Sequence, residues 1–147
     1  MTKNNITIVI VEDDPLLMRL YQEAFGDRGY TVVPFFNGEE AYDGLNKMTE
    51  KPVLILSDVM MPKMNGLDLL EKLRGSAELK TIPFVLSTNL DQMQYADRGL
   101  SLGAIAYLVK GQYTMKEIID KIEEFIVARR REPEVPETKV PIRDIVA

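Results

Sequence analysis

The sequence of 147 residues predicts an α/β fold: a doubly wound parallel sheet of five strands with helices on both faces. Short runs of branched apolar residues alternate with amphipathic segments five times along the chain. The clearest run, residues 53–56, is apolar at every position, which is typical of a strand buried on both faces of a parallel sheet. The connecting segments are therefore expected to be right-handed crossover helices.

The first strand and helix are predicted between residue 6 and about Gly26. The strand, 6–11, consists of Ile, Thr and Val and is followed by carboxylates. Asp14 and Pro15 together are typical of a helix N-terminus, where Asp accepts from free backbone N–H groups and Pro suits the first helical position. The apolar residues at helical spacing, expected to form the buried face, are Leu16, Leu17, Leu20 and Ala24.

The second strand is predicted at 30–36, where Pro34 favours an edge position because it lacks a backbone donor. Asn37, with Glu40 three residues later, predicts a capped helix start. This short helix is expected to be interrupted at Gly44.

The third strand leads from the apolar run to a single carboxylate, Asp58. Pro62 stops the strand, and Asn65 is suited to cap the next helix, which is expected to end near Leu73. The leucines of this helix recur at helical spacing, so they are expected to pack on the sheet.

The last two units occupy residues 83–131. Strand 83–88 ends in hydroxyl groups, and Asp91 is expected to cap a weaker helix that ends near Gly99. Strand 105–109 ends at Lys110. The final helix begins at a capping box and carries a clear apolar stripe. The capping residues and the stripe are Thr114 with Glu117, and Ile118, Ile119, Ile122, Phe125 and Ile126.

Composition excludes several kinds of chemistry. The chain contains no histidine and no cysteine, so histidine-dependent catalysis, imidazole or thiolate zinc sites and disulfides are ruled out. The net charge of −5 and the pI near 4.9 argue against nucleic acid as a partner. No apolar run approaches the roughly 20 residues that cross a bilayer, and the start lacks a secretory signal, so a cytoplasmic protein without membrane contacts is expected.

Polar side chains follow the predicted strands at one edge of the sheet: Glu12, Asp13, Asp58, Thr88 and Lys110. The carboxyl ends of parallel strands meet at this edge, where open α/β sheets bind their ligands. Each residue alone is explained equally well as a loop cap, an exposed lysine or a locally bonded hydroxyl. Their joint occurrence at one edge is not explained in these ways, and it predicts a functional site.

Gathered carboxylates need a cation. Two like charges about 4 Å apart repel by ~4 kcal/mol at an effective dielectric constant near 20. Without His or Cys the ligands must be oxygen atoms, which favours Mg²⁺, with Mn²⁺ as the second choice. Such an ion beside a lysine and a hydroxyl predicts phosphoryl transfer.

Four motifs in order resemble the receiver domain of two-component response regulators, a CheY-like superfamily. They are Val11-Glu12-Asp13-Asp14, Asp58-Val59-Met60-Met61-Pro62 with Gly66, residues 83–88 and residues 103–110. The resemblance covers roughly residues 5–130, so 1–131 are assigned to one receiver domain. It implies a flavodoxin-like (βα)₅ fold with strand order 2-1-3-4-5.

The resemblance also implies roles for the site residues. Asp58 would accept a phosphoryl group from the phosphohistidine of a sensor histidine kinase or a phosphotransfer protein. Thr88 and Lys110 would contact the phosphoryl oxygens, and Thr88 with Tyr107 would form the switch. Mg²⁺ would be held by Glu12 through water, by Asp13, by Asp58 and by the backbone carbonyl of Met60. Such a chain is a signalling switch and not an enzyme, and it acts on a downstream protein or a second copy through the face of its fourth helix, fifth strand and fifth helix.

Two departures from the family pattern keep an alternative open. Asn89 stands where the family usually has a small residue, and Gly111 stands where it usually has Pro. The alternative is a pseudo-receiver that binds partners without being phosphorylated. A phosphohydrolase of the haloacid dehalogenase type would need a second Asp at Met60, and no Gly-rich turn follows the first strand to bind a dinucleotide.

Residues 132–147 are assigned to a separate Pro-rich tail or linker. Proline and glutamate are followed there by four branched apolar residues: Val140, Ile142, Ile145 and Val146. These apolar residues favour packing on something. The tail could dock on its own domain, cross to a neighbour, or be the stub of a further domain.

Overall fold

The computed structural model describes residues 6–131, and the tail assigned to 132–147 lies outside the described residues. Strands and helices alternate as predicted. The elements are β1 (Thr7–Val11), α1 (Pro15–Asp27), β2 (Thr31–Phe35), α2 (Gly38–Lys47), β3 (Leu54–Asp58), α3 (Gly66–Arg74), β4 (Phe84–Thr88), α4 (Met93–Ser101), β5 (Ala106–Val109) and α5 (Met115–Arg131).

The strands form one parallel sheet in the order β2-β1-β3-β4-β5. This confirms the predicted fold class and strand order. Among residues 6–131, no helix combines the length and apolar character needed to cross a membrane.

Alternation along the strands divides the core into two layers. Ile8 and Ile10 of β1 pack with α1 and α5, in what we call the α1–α5 layer. Val9 and Val11 face the opposite side and pack with α2, α3 and α4, in the α2–α4 layer. Burial on both sides explains why the central strands are apolar at successive positions.

Most predicted helix starts are confirmed. Asp14 accepts hydrogen bonds from the backbone N–H groups of Leu16 and Leu17. The other caps are Asn37 to Glu40, Asn65 to Asp68, and the reciprocal pair Thr114 and Glu117.

The predicted buried face of α1 is confirmed for Leu17 and Ala24, which pack against the α1–α5 layer, and is wrong for the other two leucines. Leu16 and Leu20 are 65% and 45% exposed. The helix instead buries Met18, Tyr21 and Phe25, which are also at helical spacing. The larger aromatic side chains occupy the core, and Phe25 stacks edge-on against Tyr30 at 6.0 Å between ring centroids.

Two smaller predictions are also wrong. Asp91 does not cap α4, because it lies inside a 3₁₀ turn, Leu90–Gln92, and α4 follows directly without a side-chain cap. Gly44 does not interrupt α2, which continues to Lys47. A side chain at position 44 would collide with the ring of Phe35, so this glycine permits close packing of α2 on β2.

Candidate functional site

Strand alternation places four polar residues of the carboxyl edge on one side of the sheet. These residues are Glu12, Asp58, Ser87 and Lys110. The residue two positions before each of them packs in the α1–α5 layer. Since alternate residues of a strand lie on the same side of the sheet, the four polar residues lie on that side too. Thr88 has the opposite parity, because it follows Phe84 and Leu86 of the α2–α4 layer.

Lys110 joins two of the predicted carboxylates. Its Nζ lies 2.9 Å from Asp58 Oδ2 and 3.0 Å from Glu12 Oε1. The backbone N–H of Lys110 donates to the Thr88 carbonyl at 2.7 Å, which fixes the start of the loop after β5. Gly111 then adopts φ +83°, a value that glycine reaches without strain. Lys110 is therefore directed at both carboxylates although Gly111 stands where the family usually has Pro.

Glu12 is held in the site by both carboxylate oxygens. Its Oε2 accepts the Asp14 N–H at 3.0 Å, while Oε1 contacts Lys110. Burial and, second, the negative charge of Asp58 together raise the pKa of Glu12 from 4.5 to about 7, although the Asp14 N–H and Lys110 act in the opposite direction. Burial and repulsion from Asp58 together thus exceed what Lys110 and the Asp14 N–H compensate.

The acceptor candidate, Asp58, is also buried. Burial raises its pKa, and the hydrogen bond and charge of Lys110 oppose this rise. Burial lowers the pKa of Lys110, but its hydrogen bonds and charge interactions with the two carboxylates raise it by more. Lys110 is therefore a fixed positive charge beside Asp58.

Asp13 completes a group of three carboxylates with the donor set for a hard cation. One oxygen from each of Glu12, Asp13 and Asp58 lies within 4.8 Å of the other two. Asp13 is exposed, whereas Glu12 and Asp58 are buried, so the group opens to solvent on the Asp13 side. Oxygen ligands and unrelieved negative charge fit a divalent cation such as Mg²⁺.

The remaining predicted site residues are Thr88, Tyr107 and Met60. The buried Thr88 hydroxyl donates to the carbonyls of Asn89 at 3.1 Å and Gln92 at 3.4 Å. Tyr107 is buried in the α2–α4 layer. Met60 is 43% exposed on the loop after β3.

The loop after β3 is folded tightly against Asp58. The backbone N–H of Gly66 donates to the Val59 carbonyl at 2.8 Å. A side chain at position 66 would collide with the carbonyl oxygen of Asp58. Gly66 is thus required for α3 to begin beside the acceptor candidate.

Tyr21 is a neighbour of the site that the sequence did not reveal. Burial and, second, the charge of Glu12 raise the pKa of Tyr21 to about 12, whereas Ser87 acts in the opposite direction. Tyr21 belongs to the buried face of α1, which the leucine pattern misplaced. The available signal for this buried face was the helical spacing of Met18 with the two aromatic residues Tyr21 and Phe25.

Comparison with known proteins agrees with the resemblance to receiver domains found in the sequence. The family model described as the response regulator receiver domain matches residues 8–123. A probable transcriptional regulator, ycf29, from Porphyra purpurea is 34% identical over 119 residues, covering 81% of this chain and 56% of that protein. The response regulator MprA from Mycobacterium tuberculosis is 28% identical over 130 residues, covering 88% of this chain and 54% of its own length. The chain thus spans about half the length of these two relatives.

Solved structures of similar proteins share the fold. The signal receiver domain of a histidine kinase from Syntrophus aciditrophicus superposes with a TM-score of 0.75 at 29% identity, covering 90% of this chain and 98% of that one. The phosphorylated cyanobacterial phytochrome response regulator RcpA gives a TM-score of 0.70 at 29% identity, covering 84% and 94%. Both comparisons cover most of the described residues.

Proposed function

The chain belongs to the response regulator receiver domain family, and we propose that it accepts a phosphoryl group on Asp58 in a Mg²⁺-dependent reaction. The donor is the phosphohistidine of a sensor histidine kinase or a phosphotransfer protein. The observation that carries this proposal is the buried contact of Lys110 with Asp58 and Glu12, at 2.9 and 3.0 Å.

The transfer step needs a nucleophile with fixed positive charge beside it. A carboxylate oxygen of Asp58 attacks phosphorus, the P–N bond of the phosphohistidine breaks, and the imidazole leaves with the electron pair and takes a proton from solvent. Lys110 moves from the carboxylates to the phosphoryl oxygens and neutralises charge there. These 147 residues contain no histidine, so the phosphohistidine that serves as donor lies outside them.

Glu12, Asp13, Asp58 and the Met60 carbonyl would hold the cation. Bound Mg²⁺ supplies positive charge that lowers the repulsion between Asp58 and an incoming phosphoryl group. Such sites retain several waters and few protein ligands, so weak and reversible binding is expected.

The switch begins at Thr88. To donate to a phosphoryl oxygen, its hydroxyl must leave the carbonyls of Asn89 and Gln92. Gln92 directly precedes α4, so this change alters the segment that leads into α4. With Tyr107 on the adjacent β5, Thr88 would signal to a downstream protein or a second copy through the face formed by α4, β5 and α5. The chain itself acts as a cytoplasmic switch, with no substrate other than its own Asp58.

A small phosphodonor tests the function without the kinase. Incubation with acetyl phosphate and Mg²⁺ is expected to add one phosphoryl group to the intact protein, detected by mass spectrometry. Chelation of Mg²⁺ is expected to prevent this, and Lys110→Met to slow it severely. A chain that stays unmodified with Mg²⁺ and the donor would be a pseudo-receiver instead.

A further inference from the structure

Residues 88–92 connect the end of β4 to the start of α4 and contain the switch residue Thr88. The Thr88 hydroxyl contacts two carbonyl oxygens, that of Asn89 at 3.1 Å and that of Gln92 at 3.4 Å. The backbone N–H of Gln92 donates to the same Asn89 carbonyl at 3.0 Å. A hydroxyl has one hydrogen, so Thr88 shares it between the two carbonyls. The positions of Thr88 and Gln92 are thus linked through these contacts.

The side chain of Gln92 is poorly matched to this conformation. Its amide oxygen, Oε1, is buried and accepts no hydrogen bond from residues 6–131. No other buried side-chain nitrogen or oxygen atom in that range lacks a partner. A buried acceptor without a donor lowers the stability of the conformation that buries it by about five- to a hundredfold.

The unpaired oxygen is not compensated at the start of α4. Gln92 is the N-cap residue of this helix, yet its side chain makes no capping hydrogen bond. The caps of α1, α2 and α3 do make them: Asp14, Asn37 and Asn65 each accept from a backbone N–H of their helix. Replacing the amide of Gln92 would therefore remove no cap from α4.

A small movement of the segment would bring Oε1 into water. Gln92 is half-buried, and its neighbours Leu90 and Asp91 are exposed, as is Gln94. The movement that takes the Thr88 hydroxyl to a phosphoryl oxygen also breaks its contact with the Gln92 carbonyl. Water then replaces the missing donor at Oε1, which removes the penalty of the buried acceptor.

We propose that Gln92 is a positioning residue of the switch, because its buried, unpaired amide oxygen destabilises the conformation in which Thr88 is held at the Asn89 and Gln92 carbonyls. This inference rests on the proposed function. The oxygen reduces the free-energy difference between this resting conformation and the one in which Thr88 contacts the phosphoryl group on Asp58. A residue without the oxygen holds the segment more firmly at rest, and phosphorylation then shifts it less completely.

The matched test compares Gln92→Met with Gln94→Met. Gln94 is an exposed glutamine of α4, and each substitution replaces an amide by a thioether of similar length. Urea unfolding without a phosphodonor is expected to show a folding equilibrium constant about five- to tenfold higher than wild type in Gln92→Met. In Gln94→Met it is expected to stay within about twofold of wild type. Gln92→Leu also lacks the oxygen and is expected to act like Gln92→Met.

Binding of beryllofluoride with Mg²⁺ reports the switch itself, since this anion coordinates a carboxylate oxygen and has the shape of a phosphoryl group. Oε1 is buried in the resting conformation and in water in the switched one. The dissociation constant of beryllofluoride is therefore expected to rise in Gln92→Met by the same factor as the folding constant, and to stay unchanged in Gln94→Met.

Two results would overturn the inference. One is a Gln92→Met protein that is no more stable than Gln94→Met. The other is a Gln92→Met protein with higher stability and unchanged beryllofluoride affinity, because a purely structural role alters stability alone. A wild-type protein that binds no beryllofluoride and takes up no phosphoryl group would refute the proposed function, and the unfolding comparison would still decide whether the oxygen destabilises the resting segment.

Discussion

Removing the negative charge of Glu12 by the substitution Glu12→Gln is expected to stabilise the metal-free protein. This effect is expected only at pH values above the acidic range. Glu12 and Asp58 share one ammonium group, and the pKa of Glu12 rises from 4.5 to about 7 on folding. A carboxyl group with a raised pKa favours the folded state when protonated. Its contribution is complete below about pH 4.5 and is lost as the pH rises through about 7.

The size of this effect follows from the shift. A rise of the pKa from 4.5 to about 7 corresponds to about 3 kcal/mol in full, most of which falls between pH 5 and pH 8. The unfolding free energy of the wild type is thus expected to fall by about 2–3 kcal/mol over this range, relative to Glu12→Gln. Glutamine keeps an oxygen that can accept from Lys110 or from the Asp14 N–H, so the substitution removes charge with little change in shape.

Urea unfolding followed by circular dichroism, with EDTA present, measures this difference at pH 5 and pH 8. Glu23→Gln removes an exposed carboxylate from α1 and serves as the control, expected to run parallel to the wild type. If Glu12→Gln is less stable than the wild type at pH 8, or if the two change equally with pH, the repulsion between Glu12 and Asp58 has been misjudged.

Three further predictions concern the cation, the lifetime of the phosphoryl group and the packing of α4. Asp13→Ala is expected to fold with unchanged or higher stability. Calorimetry is expected to detect no Mg²⁺ binding to this variant, and acetyl phosphate is expected not to phosphorylate it. Phosphorylation of Asp13→Ala at the normal rate would refute the metal assignment. Met60 and Leu90 follow β3 and β4 with exposed apolar side chains that cannot orient water, so slow loss of phosphate is expected, and Met60→Asn and Leu90→Glu should shorten the lifetime. Unchanged lifetimes in these two variants, with a much longer one in Asn89→Ala, would make Asn89 the controlling residue. Gly99→Ala should lower the unfolding free energy by about 1–3 kcal/mol because its Cβ would collide with Leu86. The control Gly26→Ala has open space around the new Cβ and should not destabilise the protein. Equal effects of the two substitutions would contradict the packing of α4 on β4.

The parallel direction of the strands could be predicted because burial on both faces leaves a continuous apolar pattern, whereas the strand order followed from the resemblance to the receiver family. Asp58 and Lys110 were recognisable for the same reason, since each ends such a run and no other charged residue competes for its place. The fully buried residues of α1 could not be predicted, because Leu16 and Leu20 form as good a helical stripe as Met18, Tyr21 and Phe25. Only the space between α1 and the sheet decides between the two stripes.

Contacts between side chains of different strands were also beyond the sequence. Glu12 was expected to serve the cation alone, and its ion pair with Lys110 depends on how far a lysine of β5 reaches across the sheet. Strand parity does separate Thr88 from Asp58, Ser87 and Lys110, and it can be counted in a sequence once the register is known. The register was not available before the structure.

Phosphoryl transfer to Asp58 is tested most directly by identifying the residue that becomes phosphorylated. Protein treated with Mg²⁺ and acetyl phosphate is digested and mapped by mass spectrometry, beside Asp58→Asn treated identically. We expect a single modified peptide containing Asp58, stable in acid and lost in base as an acyl phosphate is, and no modification of the variant. Equal labelling of Asp58→Asn, or a phosphate on any other residue, would contradict it.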